Sequence, residues 1–314
     1  MRALQGLFPS NLRGNPLLGL MMFAFALVGA YEAAEFILAG DVIGLVYVAL
    51  AFIGCILVIA ILNDWRRGLY IFLTWLMFED LLRKFLANNM AIYFAKDFLL
   101  LVVFISFLAA YRRGTATSFR PPFLVPLFLF VWFGFLQIFN PGSTSIWYGL
   151  MGVKIFFYYI PLIFIGYALF DSEVELRRFF VINISLMCII ASLGIAQSIL
   201  GPSFLNPGTI AEDIRDLSTL YRVSPTTGAM AYRPTSVFVS TGRYSDFLMV
   251  AWLLVLGFGG YLLLRLKQGR WRIFLAIALI AAGAFSTASR GSFMWAIINA
   301  IATSAAFVWG APWR

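Results

Sequence analysis

Residues 42–62, VIGLVYVALAFIGCILVIAIL, contain no charged side chain and show no alternation of apolar and polar positions. A helix needs about 20 apolar residues to cross the hydrocarbon core of a bilayer, so this stretch alone reads as a membrane span. Working outward from it, comparable runs recur at 17–38, 68–86, 91–110, 123–139, 146–170, 179–200, 244–264, 272–288 and 292–309. A transmembrane barrel would show short stretches of period two instead. Composition agrees with spans throughout. The chain is 62% hydrophobic and 12% charged, whereas soluble domains run at about 45–50% and about 25%. The expectation is an all-α polytopic membrane protein with about ten transmembrane helices, forming a single transmembrane domain over residues 1–314.

The first run, 17–38, is long for a signal peptide and has no convincing cleavage site followed by a soluble domain, so it reads as a span. The weakest run is 68–86, where Glu79, Asp80, Arg83 and Lys84 interrupt the apolar residues. With the N-terminus inside, Lys and Arg outside the spans divide about two to one in favour of the cytoplasmic side. The short outer turns AGD (39–41) and NPGSTS (140–145) contain neither residue. Both termini are therefore expected in the cytoplasm, with one long outer loop at 201–243. The net charge of +9 then serves as anchoring charge at the membrane, and no nucleic-acid partner is expected.

The long loop is GPSFLNPGTIAEDIRDLSTLYRVSPTTGAMAYRPTSVFVSTGR, and it holds Arg215, Arg222, Arg233 and Arg243. Positive charge is usually avoided on the outer side, and a bound anion is the obvious reason to keep it there. Arg290 opens the last span from the same side. Other ionisable residues fall in the outer half of the spans: Glu32, Glu35, Lys96, Asp97, Lys154 and Asp246. They have two readings. One is a polar cavity open to the outside, in which Lys154 and the arginines receive an anionic group. The other is ion pairing between helices, with snorkelling near the interface.

The chain has no histidine. That removes Ser-His-Asp triads, Cys-His pairs and histidine metal sites. No phosphate-binding or dinucleotide-binding glycine loop is present, and GFGG at 257–260 reads as close helix packing. Glu212, Asp213 and Asp216 read as a solvated acidic run and not as a metal cluster. Cys55 and Cys188 lie mid-span and read as small core residues. No metal and no cofactor are expected. What remains is a cationic outer site, and arginine suits a diphosphate because its planar fork bonds two oxygens and keeps its charge.

RPTSVFVSTGRYSDFL (233–248) closes the long loop and enters one span, and TASRGSFMWAIINAI (287–301) enters a later one. Together with EDLLRKFLANNMAIYFAKD (79–97) and FNPGSTSIWYGLMGVKIFFYYIPLIFIG (139–166), they give a chain that resembles the O-antigen ligase and O-antigen polymerase superfamily over most of residues 65–310. That resemblance implies a metal-independent, class C membrane glycosyltransferase in the bacterial inner (cytoplasmic) membrane. It would act in lipopolysaccharide or exopolysaccharide biosynthesis, moving a glycan from undecaprenyl diphosphate on the periplasmic face. The acceptor would be a lipid A core sugar or a growing polysaccharide. By motif position, Arg233 and Arg290 would be the catalytic residues that hold the departing diphosphate, and Arg243, Lys154 and Arg222 would support substrate binding. Ligases of the family also carry a catalytic histidine in a further outer loop, followed by a last span, and this sequence shows neither. The resemblance thus implies either a truncated member or a branch that works with arginines, as polymerase-type members do. A solute transporter and a catalytically incomplete membrane subunit are the competing classes. A transporter would be supported by broken-helix symmetry between halves, which the sequence lacks.

Overall fold

The computed structural model describes residues 16–86, 89–117, 119–143, 145–206, 220–223, 226–263 and 270–310. It is mostly helical, and a helix occupies each of the ten apolar runs. The helices are α1 (Pro16–Ala39), α2 (Val42–Asn63), α3 (Trp65–Phe85), α4 (Met90–Arg112), α5 (Leu124–Leu136, extended by a 3-10 turn, Gln137–Phe139), α6 (Ile146–Phe157), α7 (Leu162–Leu169), α8 (Glu173–Leu200), α9 (Thr241–Tyr261), α10 (Arg270–Ser286) and α11 (Arg290–Gly310). Among the described residues, six helical segments have the length and composition to cross a membrane: α2, α4, α6 with α7, α8, α9 and α11. Large apolar side chains such as Leu38, Phe156 and Trp309 lie on the outside of the helices. That is how side chains face lipid, and the chain is a helical membrane protein. The chain divides into two compact units.

The first unit comprises residues 1–69 and 100–176. Asp41 caps α2 by accepting from the Gly44 N–H at 3.0 Å, after a turn in which Gly40 takes a left-handed φ of 68°. Gly29 and Gly44 let α1 and α2 approach closely: a Cβ on either would lie 2.3 Å from a ring atom of Phe52 or Phe36. The Ser106 hydroxyl donates to the Ile61 carbonyl at 2.7 Å, and Trp65 meets Phe107 edge-on. Arg66 pairs with Asp171, and this hydrogen bond holds the Asp171 carboxyl below its ordinary range. The run 146–170 is not one uninterrupted helix. It breaks at residues 158–161 between α6 and α7, where Pro161 has no N–H to continue the ladder.

The second unit comprises residues 70–99 and 177–314. Its larger core joins Met77 of α3, Met187, Ile190 and Ala191 of α8, Tyr244, Leu248, Ala251 and Val255 of α9, and Ala276 and Ile280 of α10. Tyr244 is fully buried and its hydroxyl donates to the Ala191 carbonyl at 3.3 Å. Gly194 makes room for it, since a Cβ there would lie 2.0 Å from the tyrosine oxygen. A second cluster toward the other end of the same helices holds Phe258, Leu262 and Ile273, with Phe180 stacked on Phe258 at 4.8 Å. Gly259 and Gly260 of the GFGG run seat Ile273 of α10 and Phe307 of α11. Trp252 ties α9 to α11 through a 2.9 Å bond to the Ala296 carbonyl.

Both cysteines are free. Cys55 corrects the sequence expectation of a core residue: it is exposed on α2, because that helix is apolar on every face and only part of it meets other helices. Cys188 is half-buried.

Candidate functional site

The site is assembled in the second unit, where the long loop returns to α9. Tyr221–Val223 (β1) and Met230–Tyr232 (β2) pair antiparallel, with Arg222 opposite Ala231, and Gly228 turns the chain between them with φ 66°. Residues 233–240 then run as a strap into α9, whose N-cap Ser240 accepts from the Arg243 N–H at 3.3 Å.

Buried polar side chains hold the strap. Gln197 of α8 is fully buried, and its carbonyl oxygen accepts from the backbone N–H groups of Thr235 and Ser236 at 2.8 and 2.7 Å. Its amide donates to the Phe204 carbonyl at 2.7 Å. Lys84 of α3 donates to the Thr235 hydroxyl at 2.9 Å and to the Ser236 carbonyl at 2.7 Å. Ser236 adopts φ 50°, a conformation unfavourable for a residue with a Cβ. It is held there by bonds through its N–H, its carbonyl and its hydroxyl, the last donating to Ile190 at 2.7 Å. Surroundings that over-determine a strained residue in this way are typical of functional sites.

Asp80 of α3 is buried and anchors the far end of the strap. It accepts from Arg243 through both oxygens at 3.1 and 2.9 Å, from Arg83 at 3.2 Å and from the Val239 N–H at 3.4 Å. Glu79 beside it pairs with Lys96 at 2.8 Å. These are the charges that made 68–86 read as a weak span. Glu79, Asp80 and Lys84 are buried and Arg83 is half-buried; Asp80 and Lys84 bond the strap, and for Glu79 and Lys96 the interhelical ion pair is the arrangement found. Sequence reasoning missed Gln197, Lys84, Asp80, Thr235 and Ser236 as parts of the site. A signal was present only for α3, where Asp80, Arg83 and Lys84 are spaced three and four apart on one helix face.

The predicted arginines converge on the turn that opens α11. Arg233 donates through Nε to the Thr287 carbonyl at 3.0 Å, and Arg222 donates to the Ala288 carbonyl. Ala288 has φ 51°, and Ser289 accepts from the Ser292 N–H at 3.4 Å. Arg290 follows directly and is exposed. The hydroxyls of Ser245 on α9 and Ser292 on α11 are hydrogen-bonded, so the N-termini of these two helices lie side by side and bring Arg243 to the same end. Partial burial, and then the charge of Arg222, pull Arg233 below the ordinary arginine value. Two guanidinium groups fastened to one turn, beside paired helix N-termini, define a region that favours an anion.

A groove leads away from Arg290. It has a volume of about 530 Å³ and runs between Trp252 of α9, Ala281 and Phe285 of α10, and Phe293, Ile297 and Ala300 of α11. Its walls are apolar apart from the end formed by Ala288, Ser289 and Arg290. The arrangement presents cations at the head of a channel suited to hydrocarbon.

Lys154 belongs to the first unit, half-buried in the last turn of α6. Glu32 and Glu35 are exposed on α1 of that unit, where Glu35 accepts from Tyr31 at 2.6 Å. Arg215 and the acidic run Glu212, Asp213 and Asp216 lie outside the described residues. No protein-family model matches the chain, and neither curated proteins nor solved structures gave a match.

Proposed function

We propose that the protein is a metal-independent membrane glycosyltransferase that takes a glycan from undecaprenyl diphosphate. The observation that carries this reading is the apolar groove of about 530 Å³ ending at Arg290, where Arg222 and Arg233 are fastened to the adjoining turn. A polyprenyl diphosphate has the matching form, a hydrocarbon chain headed by a compact anion. In this reading the chain has ten spans and both termini in the cytoplasm, and the site faces the periplasm of a bacterial inner membrane. There the acceptor is a lipid A core sugar or a growing polysaccharide.

The chemistry follows from the charge. An acceptor hydroxyl attacks the anomeric carbon, the bond to the diphosphate oxygen breaks as the new glycosidic bond forms, and the hydroxyl proton is taken up by the departing diphosphate. Negative charge grows on the departing diphosphate. Fixed cations aimed at it stabilise the transition state more than the ground state. Arg290, exposed at the head of the groove, is assigned the direct contact with the diphosphate, and Arg233 is assigned the second. Arg222 and Arg243 complete the positive surroundings, Arg243 with its charge partly offset by Asp80.

The test is donor use by purified protein in nanodiscs, given labelled undecaprenyl-diphosphate glycan and candidate acceptors, beside Arg233→Ala and Arg290→Ala. Transfer or donor hydrolysis abolished by the two arginine substitutions supports the reading. Folded protein that neither binds nor consumes any such donor refutes it.

A further inference from the structure

We propose that a second groove, between α8, α9 and α10, is a binding site for an anionic phospholipid of the leaflet opposite the long loop. Its volume is about 470 Å³. Val181, Ile184 and Ile189 of α8, Val255 and Phe258 of α9 and Leu279 of α10 form its apolar walls. Its two arginines, Arg177 and Arg272, are the first residues of α8 and α10 to line it, and Leu262, which lines it too, caps the C-terminus of α9. With α9 running opposite to the other two helices, all three residues fall at the same end. The groove therefore has a cationic head and an apolar body.

Its depth fits one leaflet. Arg177 lies twenty residues before Gln197 on the same helix, a rise of about 30 Å, which equals the thickness of the hydrocarbon core. Gln197 holds the strap at the loop end, so Arg177 stands at headgroup level on the other side. From Arg177 to Ile189 the rise is about 18 Å, close to half the core. A phosphate beside the two guanidinium groups would leave its acyl chain along the groove. Arginine suits that headgroup because its fork bonds two phosphate oxygens, and basic residues at this depth attract anionic lipids. The site is separate from the donor groove on α11 and does not depend on the transferase reading.

Native mass spectrometry of the intact detergent-solubilised protein, with phosphatidylglycerol or phosphatidylcholine of the same acyl chains, tests it. Phosphatidylglycerol should be retained preferentially. The preference should fall about tenfold or more in the double variant Arg177→Gln/Arg272→Gln, as expected for the loss of two basic groups facing an anionic headgroup. It should be restored in Arg177→Lys/Arg272→Lys. Cys188 lines the groove and gives an independent readout in a Cys55→Ala background. Its reaction with a small maleimide should slow with phosphatidylglycerol but not with phosphatidylcholine or inorganic phosphate. Equal retention of the two lipids, or a charge preference unchanged in the glutamine variant, would overturn the proposal. So would protection of Cys188 by both lipids alike.

Discussion

Replacing Gln197 with leucine tests whether the strap at 233–240 is built from α8. The side chain is fully buried and satisfies three backbone groups, the N–H of Thr235, the N–H of Ser236 and the carbonyl of Phe204. Leucine fills a similar space and satisfies none of them. A buried polar group left without a partner costs about 1–3 kcal/mol, so Gln197→Leu should cost at least about 3 kcal/mol. For a chain of 314 residues that corresponds to a melting temperature lower by about 4–5 °C or more. Gln197→Glu is the control, because its carboxylate still accepts from both N–H groups and lies near Lys84. It loses only the donor to Phe204 and should fall between parent and leucine variant. Thermal unfolding in detergent, read beside binding of labelled donor, gives both quantities. Donor binding should weaken in the leucine variant because Arg233 begins the strap. If Gln197→Leu melts within about 2 °C of the parent and binds donor equally well, Gln197 is not what holds the loop.

Arg290→Ala should leave the fold intact, since an exposed substitution typically changes stability by less than about 0.5 kcal/mol. Glycan transfer should nonetheless fall by about a hundredfold or more, as when one preorganised charge contact is removed from a transition state. Inorganic pyrophosphate at ten times its dissociation constant should stabilise the protein by about 1.4 kcal/mol, measured as a rise in melting temperature that Arg222→Ala/Arg233→Ala abolishes. Arg233 is a base whose folded value is lowered, so the cost of charging it is present below that value and relieved only above it. Arg233 should therefore stay charged across the neutral range, and any change of the pyrophosphate effect there should follow the ionisation of the ligand, strengthening as pyrophosphate loses a further proton. Ala288→Gly should raise stability by about 0.5–1 kcal/mol, because glycine adopts the left-handed φ of that turn without strain and gives back only part of the gain as chain entropy. Gly194→Ala should cost about 1–3 kcal/mol by driving a methyl group into Tyr244, measurable by the same melt.

The helices were legible in the sequence because an apolar run long enough to cross a bilayer has few other uses. Even there the sequence concealed the break at 158–161, where a single proline interrupts residues that are apolar on both sides. The arginines were legible too, since they stand out in a chain so poor in charge. Their supports were not. Gln197 lies in an apolar helix with nothing nearby in sequence to suggest that it faces a strap nearly forty positions later. Asp80 and Lys84 were read as weakening a span, when burial and pairing make them the floor of the site. Cys55 shows the converse difficulty: on a helix apolar all round, periodicity cannot separate the side that meets protein from the side that meets lipid.

Among the described residues, Arg222 and Arg233 are latched across to the α11 turn through main-chain oxygens. Positions 287 and 288 can change identity and still offer the same carbonyls, provided the turn keeps its shape. Substitution of either arginine, in contrast, has no compensating change available across the contact. Among diverged sequences such a latch would leave two fixed basic positions and no partner that varies in step with them. A search for co-varying pairs would pass over the contact that fastens the loop to the head of the groove.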